Sequence, residues 1–144
     1  MSMTIELQPA HGLPIAVAIC SCFVTVWAGF GVGAMRKKFG IKYPQMYAEE
    51  SHPNAVVFNC YQRAHQNVLE NFSQFIVLLT LASVKRPTLA AAAGALRLFG
   101  FIVYVKGYRT GNPDNRQKGA FGYLGLFAML GMSVELAVSL IRVA

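Results

Sequence analysis

The chain has 144 residues, 55% of them hydrophobic and only 13% charged, with a net charge of +7. A soluble domain carries about 25% charged residues, so an ordinary soluble globular protein is excluded. At ~20 apolar residues per crossing there is room for about four membrane spans in one membrane domain covering residues 1–144. The basic excess lacks the aromatic–basic pattern of a nucleic-acid module, so no nucleic-acid partner is expected.

Met1–Gly12 is short and polar and has no Lys or Arg. It lacks the basic region that opens a secretory signal peptide. Leu13–Met35 is an uncharged run of spanning length and reads as the first helix. Cys20 and Cys22 point away from each other and read as buried small residues. With Cys60 they make three Cys, which give no disulfide framework. Gly29 and Gly33 form a GxxxG pair, a pattern that permits close helix approach. Arg36, Lys37, Lys38 and Lys42 follow in a first loop over residues 36–53.

Residues 54–84 hold no Pro or Gly and read as one long second helix. On a helical wheel at ~100° per residue, Asn59, Arg63, Gln66, Asn67, Glu70 and Gln74 form one polar stripe. Phe58, Tyr61, Leu69, Phe72 and Ile76 lie opposite, together with His65. Residues 76–84 are almost wholly apolar. Arg and Glu at spanning depth are costly unless they face a polar cavity or a protein interior, so the stripe is expected to line such a cavity.

Lys85, Arg86 and Pro87 make a tight turn. The third helix covers about 88–108 and carries Arg97, Phe101, Tyr104 and Tyr108 on one face. A second basic loop over 109–118 turns at Gly111-Asn112-Pro113-Asp114. The fourth helix covers about 119–143; Gly119, Gly122 and Gly125 suit close packing near its start. Glu135 is read as paired across helices or as lying near the far interface. The loops at 36–53 and 109–118 hold four and three Lys or Arg; the 85–87 turn and the C-terminal end hold two and one. The excess places both basic loops in the cytoplasm and both termini opposite. Arg63, Asn67, Glu70, Tyr104 and Tyr108 then converge in the cytoplasmic half. The three His are too scattered for a metal cluster, so no metal is expected.

The segments FNCYQRAHQNVLE, KKFGIKYPQMY and KGYRTGNPDNRQKGAFG closely resemble the microsomal glutathione S-transferase type 3 proteins. These belong to the membrane-associated proteins in eicosanoid and glutathione metabolism. The resemblance covers about residues 35–131. It implies an all-α homotrimer of four-transmembrane-helix subunits that binds glutathione between subunits and takes a lipophilic co-substrate from the bilayer. It also implies residence in the endoplasmic reticulum, with the mitochondrial outer membrane as the alternative. Carried over, Arg63, Asn67, Glu70, Tyr104 and Tyr108 bind glutathione. Arg116 stabilises its thiolate. Arg36 and Lys37 match a basic pair near the site, and Lys37 is the alternative activating cation. His65 reaches the neighbouring subunit's site. The implied activity is glutathione transfer, or peroxidase action on lipid hydroperoxides. The family places an Arg about one turn before the tyrosine matched by Tyr104. Here the nearest matching position holds Phe101, and Arg97, one turn further along, is expected to pair with Glu70 or with a ligand carboxylate. Asn71 stands where leukotriene-forming relatives have a Tyr. The competing readings are a non-enzymatic lipid-binding scaffold, a small channel or transporter, and an enzyme with Cys60 as nucleophile.

Overall fold

A computed structural model describes residues 6–142 as an all-helical bundle. After a short 3₁₀ turn at Pro9–His11 come α1 (Gly12–Phe39), α2 (Ala55–Lys85), α3 (Pro87–Tyr108) and α4 (Gly122–Ile141). A second 3₁₀ segment, Pro113–Gly119, lies between α3 and α4. All four helices are long and apolar enough to cross a membrane.

Each boundary has a local cause. α1 runs four residues beyond its expected end at Met35 and takes in Arg36, Lys37 and Lys38. Basic residues are good helix formers and suit the negative end of the helix dipole. The stop is Gly40, left-handed at φ 71°, whose N–H donates to the Arg36 carbonyl. α2 ends where Pro87, at the first position of α3, removes a backbone donor. α4 starts three residues later than expected because Gly119 closes the 3₁₀ segment instead of opening the helix.

The core is layered along the bundle. Phe75, Leu79, Ala90, Ala93, Leu126 and Met129 fill the end near the 86 turn. Ala64, Val68, Phe101 and Val105 fill the middle of the α2–α3 contact. Val32, Ile41, Ala48, Ala55 and Phe58 anchor the 40–54 loop. α3 and α4 meet through backbone: a Cβ on Gly100 would stand 2.6 Å from the Gly122 Cα, and one on Gly119 would enter the α3 backbone at Gly100 and Tyr104. The outer surface stays apolar, with Phe23, Phe30, Leu124 and Phe127 exposed.

Two expectations about α1 are corrected. Cys20 and Cys22 lie on its exposed surface, because the helix buries mainly the stripe through Pro14, Ser21, Ala28, Val32 and Arg36. Gly33 faces no atom within 4 Å of a would-be Cβ, so among the described residues it makes no close helix contact; Gly29 faces the His65 ring and Gly31 the Arg109 guanidinium. Glu135 pairs across helices. Arg86 Nε and Nη2 donate to its two carboxylate oxygens, each at 2.8 Å, closing the bundle end opposite the two loops.

Candidate functional site

The loop end is pinned by side chains. Asn59, one turn into α2, accepts from the Ala48 N–H at 2.8 Å and donates to the Ala48 carbonyl at 3.1 Å. The Arg36 guanidinium donates to the Gln45 carbonyl at 2.6 Å and, at longer range, to those of Ile41, Lys42 and Met46. It also lies against the Tyr43 and Phe58 rings. Arg36 therefore holds the loop that folds back over α2. The Tyr47 hydroxyl donates to Gln66 Oε1.

Against this wall the polar stripe opens. Arg63 Nη1 pairs with Glu70 Oε1 at 2.8 Å, and both side chains are about two-fifths exposed (41% and 44%). The two lie on one face of α2, so their pairing follows from helical period. A half-exposed pair is worth up to about 1 kcal/mol, so a ligand with its own carboxylate and ammonium can open it. Arg63 lines a groove of about 560 Å³ with Asn59, Cys60, Tyr47 and Tyr108. The Tyr108 ring packs edge-on against Tyr104, centroids 5.6 Å apart.

Tyr104 lines the neighbouring cavity of about 240 Å³, together with Asn67, Arg97, Arg116, Gln117 and Tyr123. Arg116 rises from the 3₁₀ segment. It donates to the Pro113 carbonyl at 2.6 Å, and its guanidinium stands 5.7 Å from the Tyr108 ring centroid. Asp114 is 3.9 Å away and almost fully exposed. The glycine seam between α3 and α4 brings Arg116 to this cavity, since Gly119 sits directly on Gly100 and Tyr104.

The expected pairing of Arg97 with Glu70 is not made. Glu70 is taken by Arg63 on its own helix. Arg97 lies between the Phe101 and Tyr123 rings, 4.2 and 4.5 Å from their centroids, and donates to Asn71 Oδ1 at 3.2 Å. Burying a charge costs several kcal/mol; a desolvated cation over an aromatic face recovers about 2 kcal/mol. Phe101 thus packs in the core and supports the cation from below.

Arg36 and His65 open onto a different face. They line a groove of about 440 Å³ with Gly29, Val32, Tyr43 and Gln62. Lys37 is exposed and lines none of these three hollows. One residue counted in the sequence only as a loop charge is structural. Arg109 reaches back to α1, donates to the Ala28 carbonyl at 2.7 Å and lies over the Trp27 and Tyr61 rings. Burial pushes its pKa down. Gly31 was the available signal, since any Cβ there would occupy the space of the Arg109 guanidinium. Among the described residues no group of three or more His, Cys, Asp or Glu could hold a metal ion.

Four apolar helices around a polar hollow confined to one end define an all-helical integral membrane protein with four spans. The chain belongs to the MAPEG family, whose model matches residues 14–137. That family includes glutathione-dependent enzymes and non-enzymatic members, and its members typically use glutathione.

Proposed function

We propose that this chain is a glutathione-dependent membrane enzyme of the type 3 microsomal glutathione transferase kind, acting as a transferase, as a lipid-hydroperoxide peroxidase, or as both. The observation that carries this reading is a pair of polar hollows at one end of an apolar bundle, one lined by Arg63 and Tyr108 and the other by Asn67, Tyr104 and Arg116, with the Tyr104 and Tyr108 rings packed together and Glu70 paired to Arg63. Glutathione carries two carboxylates and one ammonium. Its amino-acid end matches the Arg63–Glu70 pair, carboxylate to Arg63 and ammonium to Glu70, so that one exposed ion pair becomes two. Asn67 and the tyrosine hydroxyls supply neutral hydrogen bonds.

A thiol with pKa near ~8.5 is only a few per cent thiolate at neutral pH. Lowering that pKa by about two units takes ~2.7 kcal/mol of preferential thiolate stabilisation. Arg116, half in the cavity and tethered by the Pro113 carbonyl, is the cation placed to supply it. Attack on an electrophilic carbon gives a thioether; attack on the outer oxygen of a hydroperoxide breaks the O–O bond, releases the alcohol and leaves glutathione sulfenic acid, which a second glutathione converts to the disulfide and water. The lipophilic co-substrate enters from the bilayer.

Arg36 and His65 face away from Arg63, and Lys37 lines neither polar hollow. They join the site through a neighbouring subunit of a homotrimer, whose interface would bring the two faces together. The two loops, and with them the site, are assigned to the cytoplasm of the endoplasmic reticulum or the mitochondrial outer membrane. The four helices form one membrane domain. Phe101 supports a second reading, a non-enzymatic lipid-binding scaffold, since the resemblance expects an Arg there. Calorimetry with glutathione, followed by turnover assays with a lipid hydroperoxide and an epoxide, tests the reading. Absence of glutathione binding by the purified protein in detergent selects the scaffold.

A further inference from the structure

Arg97 lacks what a buried cation requires. It is 4% exposed and sits eleven residues, ~16 Å, in from the Tyr108 end of α3. Its guanidinium donates to the neutral Asn71, and its Nε is buried with no partner among the described residues. The rings of Phe101 and Tyr123 stabilise a cation but neutralise no charge. Among the described residues the nearby carboxylate is committed elsewhere: Glu70 is held by Arg63, while Glu135 is held by Arg86 at the far end. Arg116 opens onto the same cavity as Arg97. Two guanidinium groups on one small cavity, with no acidic residue in its lining, describe a site built for an anion.

We propose that Arg97 is a carboxylate-binding residue, and that a substrate carboxylate docks on it beside the position where Arg116 meets sulfur. The two rings pack against the guanidinium, Asn71 takes one N–H, and Nε is left with no partner. An edge-on fork of N–H donors matches a planar carboxylate. Asn67 and Tyr104 in the same lining complete the shell. Two substrates can bring that group. One is glutathione, through its glycyl end; this arm rests on the function proposed above. The other is an acidic lipid, and this arm does not depend on that reading. Tyr123, which covers Arg97, begins an exposed apolar stripe on α4 that continues through Phe127, Leu130 and Val134. A chain lying along that stripe would place its head at Arg97.

The test uses two ligand pairs on the full chain in detergent: glutathione against its glycine amide, and a long-chain fatty-acid hydroperoxide against its methyl ester. Binding of each is measured for the wild type, Arg97→Lys and Arg97→Gln. The wild type is expected to prefer the acid at least tenfold in one pair. Arg97→Gln abolishes that preference while leaving the other pair's ratio unchanged. Arg97→Lys, which keeps the charge without the fork, lies between. Loss in the first pair assigns the peptide carboxylate; loss in the second assigns the lipid. A ratio cancels any general loss of folded protein, and the wild-type comparison needs no variant at all. Equal binding within both pairs, no binding of any of the four probes, or a preference that survives Arg97→Gln overturns the proposal. If glutathione binding depends on Arg63 but ignores the glycyl carboxylate, and acid and ester bind alike, this proposal falls and the glutathione reading stands.

Discussion

Gly100→Ala isolates the seam on which the site depends. The added Cβ would stand 2.6 Å from the Gly122 Cα and 3.0 Å from both the Gly119 carbonyl oxygen and the Gly122 nitrogen. Ordinary carbon–carbon contact lies near 3.5–4.0 Å, about 1 Å further out. The atoms it meets are backbone on a packed helix, so relief requires α4 to move away from α3. Overpacking of this kind costs about 1–3 kcal/mol. Replacing Gly by Ala within a helix contributes up to about 1 kcal/mol the other way. The net expectation is a loss of up to about 2 kcal/mol. Gly131→Ala on α4 is the matched control, because its Cβ meets nothing within 4 Å; it should stabilise by up to about 1 kcal/mol. Thermal unfolding of both variants in detergent reads the difference. Glutathione binding reads the consequence, since Gly119 is three residues from Arg116 and moves with the seam. If Gly100→Ala proves as stable as Gly131→Ala and binds glutathione unchanged, the close contact does not position Arg116 and the account of the site is wrong.

Arg63→Ala should weaken glutathione binding at least tenfold while the oligomeric state, followed by size-exclusion with light scattering, stays that of the wild type; unchanged affinity removes the central residue of the proposed function. Arg116→Ala should lower turnover more than ground-state affinity, and the thiolate absorbance of bound glutathione should fall at pH 7. Intact thiolate formation would shift that role to another cation. Gly31→Ala should destabilise by expelling the Arg109 guanidinium from its niche on α1. The double variant Gly31→Ala/Arg109→Ala should then melt no lower than Arg109→Ala alone.

Periodicity made the bundle legible. The polar stripe at Arg63, Asn67 and Glu70 and the glycines at 119, 122 and 125 are spaced as a helix requires, and a wheel recovers such faces from spacing alone. α1 runs past the apolar boundary at Met35 because hydropathy marks where a membrane stops, whereas a left-handed Gly40 marks where the helix stops. An Arg97–Glu70 pair would have to form across helices, whereas Arg63 stands two turns from Glu70 on its own helix and takes it. The placements of Arg36 and Arg109 could not be read at all. Each spends its charge on carbonyl oxygens brought close only by the tertiary fold, and a carbonyl carries no residue-specific signal in a sequence.

The polar hollow ends partway along α2, below which residues 76–84 are nearly all apolar. On the proposed function, a pocket shaped this way would act as a phase-transfer catalyst, holding a water-soluble reactant within reach of one dissolved in oil. The two reactants then obey different concentration scales. One is set by the aqueous volume, the other by the volume of the lipid or detergent into which it partitions. Apparent saturation by a lipophilic co-substrate therefore shifts with the amount of membrane in the assay while the protein itself is unaltered, and only its mole fraction in the bilayer is a property of the site.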